Sequence, residues 1–162
     1  TFVRQNTVTV KNGFDEYLSN HYIKTSIENN FNELKIEVSN LDATFMNIAE
    51  NAVNKNIIVS DDVLNFLSKY GFNVISLDPD TTTPKIISQV KELLANGSSS
   101  TIFILSNDES NNIVNAIVDE IDIEITYLHN LSNINENERN DKKTYLTIMA
   151  ENIELIKAEV YN

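Results

Sequence analysis

The stretch from residue 23 to residue 52 constrains this chain more than any other. Ile23, Ile27, Phe31, Leu34, Val38, Leu41, Phe45, Ile48 and Ala52 recur at steps of three and four residues. Steps averaging near 3.6 place all of them along one side of a single α-helix. At about 1.5 Å per residue such a helix is roughly 45 Å long, well beyond the usual three turns of a globular domain. It reads as a spine, a coiled coil or a strut between two lobes. A repeat nearer 3.6 than 3.5 residues favours packing within the protein over coiling around a second chain.

Before this helix the signals are weaker. Residues 7–10 alternate as a short strand would, Lys11-Asn12-Gly13 reads as a turn, and a short helix is expected over 14–18. After it, short apolar runs alternate with helical patterns. Strands are expected at 57–59, 74–77, 102–105 and within 121–128; helices are expected over 63–70, 86–94, 113–118 and 146–160. Gly71 stands where a left-handed residue would end a helix, and residues 130–143 read as a long polar loop or a frayed helix start. Alternating strands and helices imply a parallel sheet covered on both faces. The expected class is therefore α/β: a long spine helix followed by a four-stranded parallel sheet with helices on both faces. Three regions follow from this, with 1–20 as a lead-in or the remnant of a preceding lobe, 21–55 as spine and 56–162 as the α/β lobe. No internal repeat is visible.

Composition removes several function classes. Against 24 acidic residues there are 12 basic ones, a net charge of −12. Such a surface lacks the Lys/Arg footprint that nucleic acid or an anionic membrane requires, and it suits cations. No apolar run approaches the length of a spanning helix. With no cysteine, disulfides, thiolate zinc sites and Cys nucleophiles are excluded. The chain holds 25 Asn and 20 Ile; such enrichment reads as genome bias, so a single Asn is discounted as a functional signal.

In open parallel sheets, ligands bind beyond the carboxyl ends of the strands. Those ends are Ser60-Asp61-Asp62, Leu77-Asp78, Ser106-Asn107-Asp108 and Leu128-His129. Asp61, Asp62 and Asp108 are also suited simply to capping the helices that follow them. Gly13, Gly71 and Gly97 are too far apart for a phosphate-binding glycine motif, and there is no Gly-x-Ser-x-Gly, His-Glu-x-x-His or EF-hand loop. His21, at the start of the long helix, reads as a solvated side chain; His129 lies at a strand end. The sequence speaks for a binding protein rather than an enzyme.

These residues carry a family resemblance. Val59-Ser60-Asp61-Asp62-Val63-Leu64-Asn65-Phe66-Leu67-Ser68-Lys69-Tyr70-Gly71 resembles the Val-Ser-His-Asp-Ala-Phe-x-Tyr-Leu-Ala-x-x-Tyr-Gly segment of the zinc- and manganese-binding solute-binding proteins of ABC transporters. Asn30 with Leu41-Asp42 is similar to the end of that family's interlobe helix, and Thr101-Ile102-Phe103-Ile104-Leu105-Ser106 to its Ala-Ile-Phe-Val-Glu-Pro strand. Tyr145, Met149 and Asn152 resemble the Tyr-x-x-Met-Met-x-x-Asn of its final helix, and Asn12-Gly13-Phe14 with Leu18 a segment late in its amino-terminal lobe. The likeness covers residues 22–160, and 8–18 more faintly; the ordered set, not any one motif, carries it.

The resemblance implies one lobe of a two-lobed fold that clasps a divalent ion, Zn²⁺ or Mn²⁺, between its lobes. Of the four usual ligands, two His come from the amino-terminal lobe. The third, a His or Glu, falls on Asp61, with Asp62 the alternative if the alignment slips by one. The fourth, an Asp, falls on His129. Both substitutes can bind metal, and carboxylate with imidazole suits Zn²⁺. The segments that carry the other two ligands have no counterpart here, nor has the family's His-rich loop. The resemblance thus implies a truncated or degenerate extracytoplasmic metal-binding component, at the cell surface and lipid-anchored through a segment outside this chain. Its partner would be the transporter's membrane subunit, and a homodimer would be one way to complete its cleft. Two other readings stand beside it. One is a cell-surface protein-interaction module that binds no metal. The other is a phosphotransfer receiver domain using Asp61, Asp62 and Asp108 to hold Mg²⁺, although only one strand follows Asp108 and it ends in His129 rather than Lys.

Overall fold

A computed structural model of the protein describes residues 2–106 and 110–162. Its contacts gather into two units, Thr1–Thr44 and Phe45–Asn162. The first unit is helical, with α1 (Phe2–Tyr17) followed by α2 (His21–Asn51), which continues into the second unit. The expected long helix is thus present as 31 residues. Its apolar stripe reaches a full core only at its carboxyl end, where Phe45, Ile48 and Ala49 are at most 3% exposed. None of residues 3–44 is fully buried.

The amino-terminal segment differs from the sequence expectation. Residues 7–10 are helical rather than extended, and Lys11-Asn12-Gly13 is not a turn. Val3, Thr7, Val10 and Phe14 recur at steps of four, three and four, a helical stripe that overrides the β preference of Thr and Val. The Thr7 and Thr9 hydroxyls donate back to carbonyls one turn earlier. Lys11 bridges Asp15 on its own helix and Glu28 on α2, each at 2.7 Å, and the Lys24 ammonium donates to the Asp15 carbonyl. Those pairings hold Lys11 more firmly protonated than an ordinary lysine, the hydrogen bond to Asp15 contributing most.

Two glycines are therefore expected to respond oppositely to alanine. Gly13 sits mid-helix without a positive φ and with nothing within 4 Å of an added Cβ. Gly13→Ala should stabilise the helix by roughly 0.5–1 kcal/mol. Gly71 has φ 100°. Gly71→Ala should destabilise by roughly 1–2 kcal/mol through backbone strain alone. Thermal melts followed by circular dichroism check both signs.

The second unit, which begins at Phe45, has the expected α/β architecture. β1 (Asn56–Val59), β2 (Asn73–Ser76), β3 (Thr101–Leu105) and β4 (Glu124–Leu128) form one parallel sheet in the order β2-β1-β3-β4. A 3-10 helix (Asp62–Tyr70) follows β1 and ends at Gly71. α3 (Pro84–Ala95) follows β2, starting from the Thr83 cap with Pro at its first position. α4 (Asn112–Ile121) follows β3, and α6 (Tyr145–Val160) closes the chain. Side chains alternate across the sheet. Ile58, Ile75, Ile102 and Ile104 meet Val90 and Leu94 of α3 and Val114 and Ile117 of α4 on one face. Ile57, Val59, Phe103 and Leu105 point to the other, where α6 contacts β1 and β4 and the 3-10 helix contacts β2. Phe103, on a central strand, has no exposed surface.

The polar stretch 130–143 is more ordered than its composition suggests. It contains α5 (Glu136–Asn140), opened by a capping box in which Asn135 and Glu138 satisfy each other's backbone amides. No described helix is long and apolar enough to cross a membrane.

Candidate metal site

The carboxyl edge of the sheet is where the chemistry-bearing side chains gather. Asp61 follows β1 by two residues and caps the 3-10 helix, its Oδ1 accepting the Val63 amide at 2.7 Å. Its Oδ2 accepts from the Ser60 hydroxyl at 3.3 Å. Capping is therefore a real role of Asp61. It leaves part of the carboxylate free, since the two oxygens offer about four acceptor sites between them. Asp62 is exposed and accepts from the Asn65 amide within the helix. Asp108 lies outside the described residues.

His129 is the first residue after β4 and is fixed at every polar atom. Asn152 of α6 accepts from its backbone amide at 2.8 Å and donates to its carbonyl at 2.9 Å. Its ring Nδ1 accepts the Leu131 amide at 2.9 Å, which puts the ring proton of the neutral imidazole on Nε2. Leu131 holds a left-handed φ of 62°, and this bond is part of what keeps the sharp turn closed. The Nε2 atom lies 3.3 Å from Oε1 of Glu138. The Glu138 carboxyl is held below the ordinary glutamate value, mainly by its bond to the Asn135 amide; burial opposes this, and His129 and Lys143 add to it. Glu138 is thus an anion at neutral pH.

Register sets the spacing between the two expected ligands. Val59 pairs with Phe103, and Phe103 with Thr126. Two residues further along each strand, Asp61 is level with Leu105 and Leu128. Two strand spacings put Asp61 and His129 roughly 10 Å apart at their backbones. Among the described residues there is no cluster of three or more His, Asp or Glu able to hold a metal. An apolar cavity of about 100 Å³ opens beside His129, lined by Leu64, Leu67, Leu105, Leu128, Met149 and Ile156. His21 is exposed at the start of α2, in the other unit.

Two residues of this edge escape a composition-based reading. Asn111 caps α4, accepting the Ile113 and Val114 amides at 3.0 and 2.9 Å. It also donates to the carbonyls of Ser60 at 2.9 Å and Leu77 at 3.1 Å, tying the ends of β1 and β2 to that helix. Glu138 is the other, and the Asn-x-x-Glu of the capping box was its one visible signal.

The family model for the periplasmic component A of the zinc-uptake complex, ZnuA, matches residues 11–159. The chain belongs to this family. No curated protein sequence matches it. Among solved structures, the metal-dependent lipoprotein YcdH of Bacillus subtilis is similar at 18% identity and a TM-score of 0.69, over 96% of this chain and 58% of that one. AdcAII of Streptococcus pneumoniae is similar at 20% identity and a TM-score of 0.69, over 97% of this chain and 58% of that one. The Zn(II)-bound ZnuA-like domain of AdcA from the same organism gives 16% and 0.62, over 86% and 54%. At such identities the likeness shows the fold, and the chain spans a little over half the length of these structures. Its α/β unit matches one lobe of a solute-binding protein.

Proposed function

We propose that this chain serves as the carboxyl-terminal half of an extracytoplasmic solute-binding protein that captures Zn²⁺ or Mn²⁺ for an ABC transporter, with Asp61 and His129 as the ligands it contributes. In this reading residues 56–162 are the metal-bearing lobe and 21–55 the strut. Residues 1–20 are part of the amino-terminal lobe, and the partner is the transporter's membrane subunit. The role is capture and release of an ion, not catalysis.

The observation that carries the reading is the placement of Asp61 and His129 on one sheet edge in a member of the ZnuA family. The Zn(II)-bound relative supports zinc, and a carboxylate paired with an imidazole fits zinc better than manganese, which prefers oxygen. Two ligands leave at least two positions of a tetrahedral ion to water, a second copy or a second lobe. Affinity from this chain alone is therefore expected to be modest.

Isothermal titration of the chelator-stripped protein with Zn²⁺ and Mn²⁺ tests this. One saturable site is expected, stronger for Zn²⁺, with affinity lowered at least tenfold by Asp61→Ala and by His129→Ala. Absence of binding in the parent protein would move the function toward the protein-interaction reading. The first unit favours that alternative, since Phe14 and Tyr17 on α1 and Tyr22 and Ile23 on α2 stay exposed.

A further inference from the structure

We infer that Glu138, on the short helix α5, is a direct ligand of the divalent ion, so that His129 and Glu138 form a preformed two-ligand pincer within one loop. This rests on the metal-capture reading above and goes beyond it, because it assigns a donor that neither the sequence pattern nor capping of a strand end points to.

Geometry makes the case. Two ligands that each stand about 2.0–2.1 Å from a zinc ion at the tetrahedral angle are roughly 3.3 Å apart. The His129 Nε2 to Glu138 Oε1 separation is 3.3 Å. A charge-assisted hydrogen bond between the same groups would ordinarily be nearer 2.7–2.9 Å. The separation matches that of two ligands on one ion, while the same two groups also contact each other directly as a pair.

Both side chains are aimed and held before any ion arrives. The second Glu138 oxygen, Oε2, accepts the Asn135 amide at 2.8 Å, which fixes the carboxylate plane and turns Oε1 toward the ring. The backbone of His129 is clamped by Asn152 from α6. The side chains are 18% and 14% exposed, open enough for an ion to enter and too enclosed to swing freely. Such outer bonds are what orient metal ligands. The loop supplies one nitrogen and one oxygen, a donor pair suited to zinc.

Binding requires one local change. As the ring stands, Nδ1 accepts from the Leu131 amide, so Nε2 carries the proton. For Nε2 to bind an ion, that proton moves to Nδ1 and the number of protons on the ring stays the same. The Leu131 amide then loses its acceptor. Metal capture is thereby linked to the left-handed turn at Leu131.

The test uses the stripped 162-residue chain, Zn²⁺ as the probe, and calorimetry beside amide NMR. Glu138→Gln keeps an acceptor for the Asn135 amide and so preserves the capping box while removing the charge. If Glu138 is a ligand, this variant melts like the parent yet binds Zn²⁺ at least tenfold more weakly, and the Leu131 amide resonance shifts on titration of the parent. If Glu138→Gln binds as the parent does while Asp61→Ala and His129→Ala lose affinity, Glu138 merely clamps the loop; the inference falls and the transporter reading stands. If the parent does not bind Zn²⁺ at all, both fall.

Discussion

Alanine in place of Asn111 is expected to cost the fold roughly 2–4 kcal/mol, because one side chain makes four bonds that nothing nearby replaces. Its oxygen satisfies the Ile113 and Val114 amides in the first turn of α4, and its amide group satisfies the last carbonyls reached from β1 and β2. Loss of the cap alone accounts for about 1 kcal/mol, and the rest comes from two carbonyls left without their donor. Asn111→Asp separates the contributions. The carboxylate still caps the helix but puts negative charge against the Ser60 and Leu77 oxygens, so it should recover only the capping share. Urea unfolding of the three proteins measures the difference. Equal stability of parent and Asn111→Ala would mean that the sheet edge does not depend on this residue.

A comparable loss, again roughly 2–4 kcal/mol, is expected for Asn152→Ala, since two backbone groups would be left unpaired beside a core. Asn152 is 7% exposed and spans the amide and carbonyl of His129. The consequence is local as well as global, because this clamp positions the imidazole. Zn²⁺ affinity should therefore fall with Asn152→Ala even under conditions where the variant is fully folded. Stability lost without any change in affinity would show that the clamp serves the fold and not the site.

These two residues also show where sequence reading stops. The long helix, the order of strands and helices, and the left-handed Gly71 were all legible, because periodicity and glycine chemistry are local signals written in consecutive residues. Asp61 and His129 were legible as strand-end residues for the same reason. Asn111 and Asn152 were not legible as keystones of the edge. In a chain with 25 asparagines one that bridges three elements is indistinguishable from one that faces solvent, and only the fold brings Ser60 and Leu77 to Asn111. Residues 7–10 failed differently. Their Thr and Val side chains favour extended backbone, but the pairing of Lys11 with Glu28 and of Lys24 with the Asp15 carbonyl rewards a helix laid along α2. Glu138 was hidden by length: a polar run of fourteen residues reads as loop, and the capping box inside it is short.

The central claim is that one ion is held at the carboxyl edge of this sheet. Anomalous diffraction at the zinc absorption edge, from crystals of the chain grown with Zn²⁺, tests it most directly. The account predicts a single strong peak about 2.0–2.2 Å from His129 Nε2 and from a carboxylate oxygen of Asp61 or Glu138. A zinc peak elsewhere, with the His129 ring accepting the Leu131 amide and facing Glu138 as described above, would contradict it.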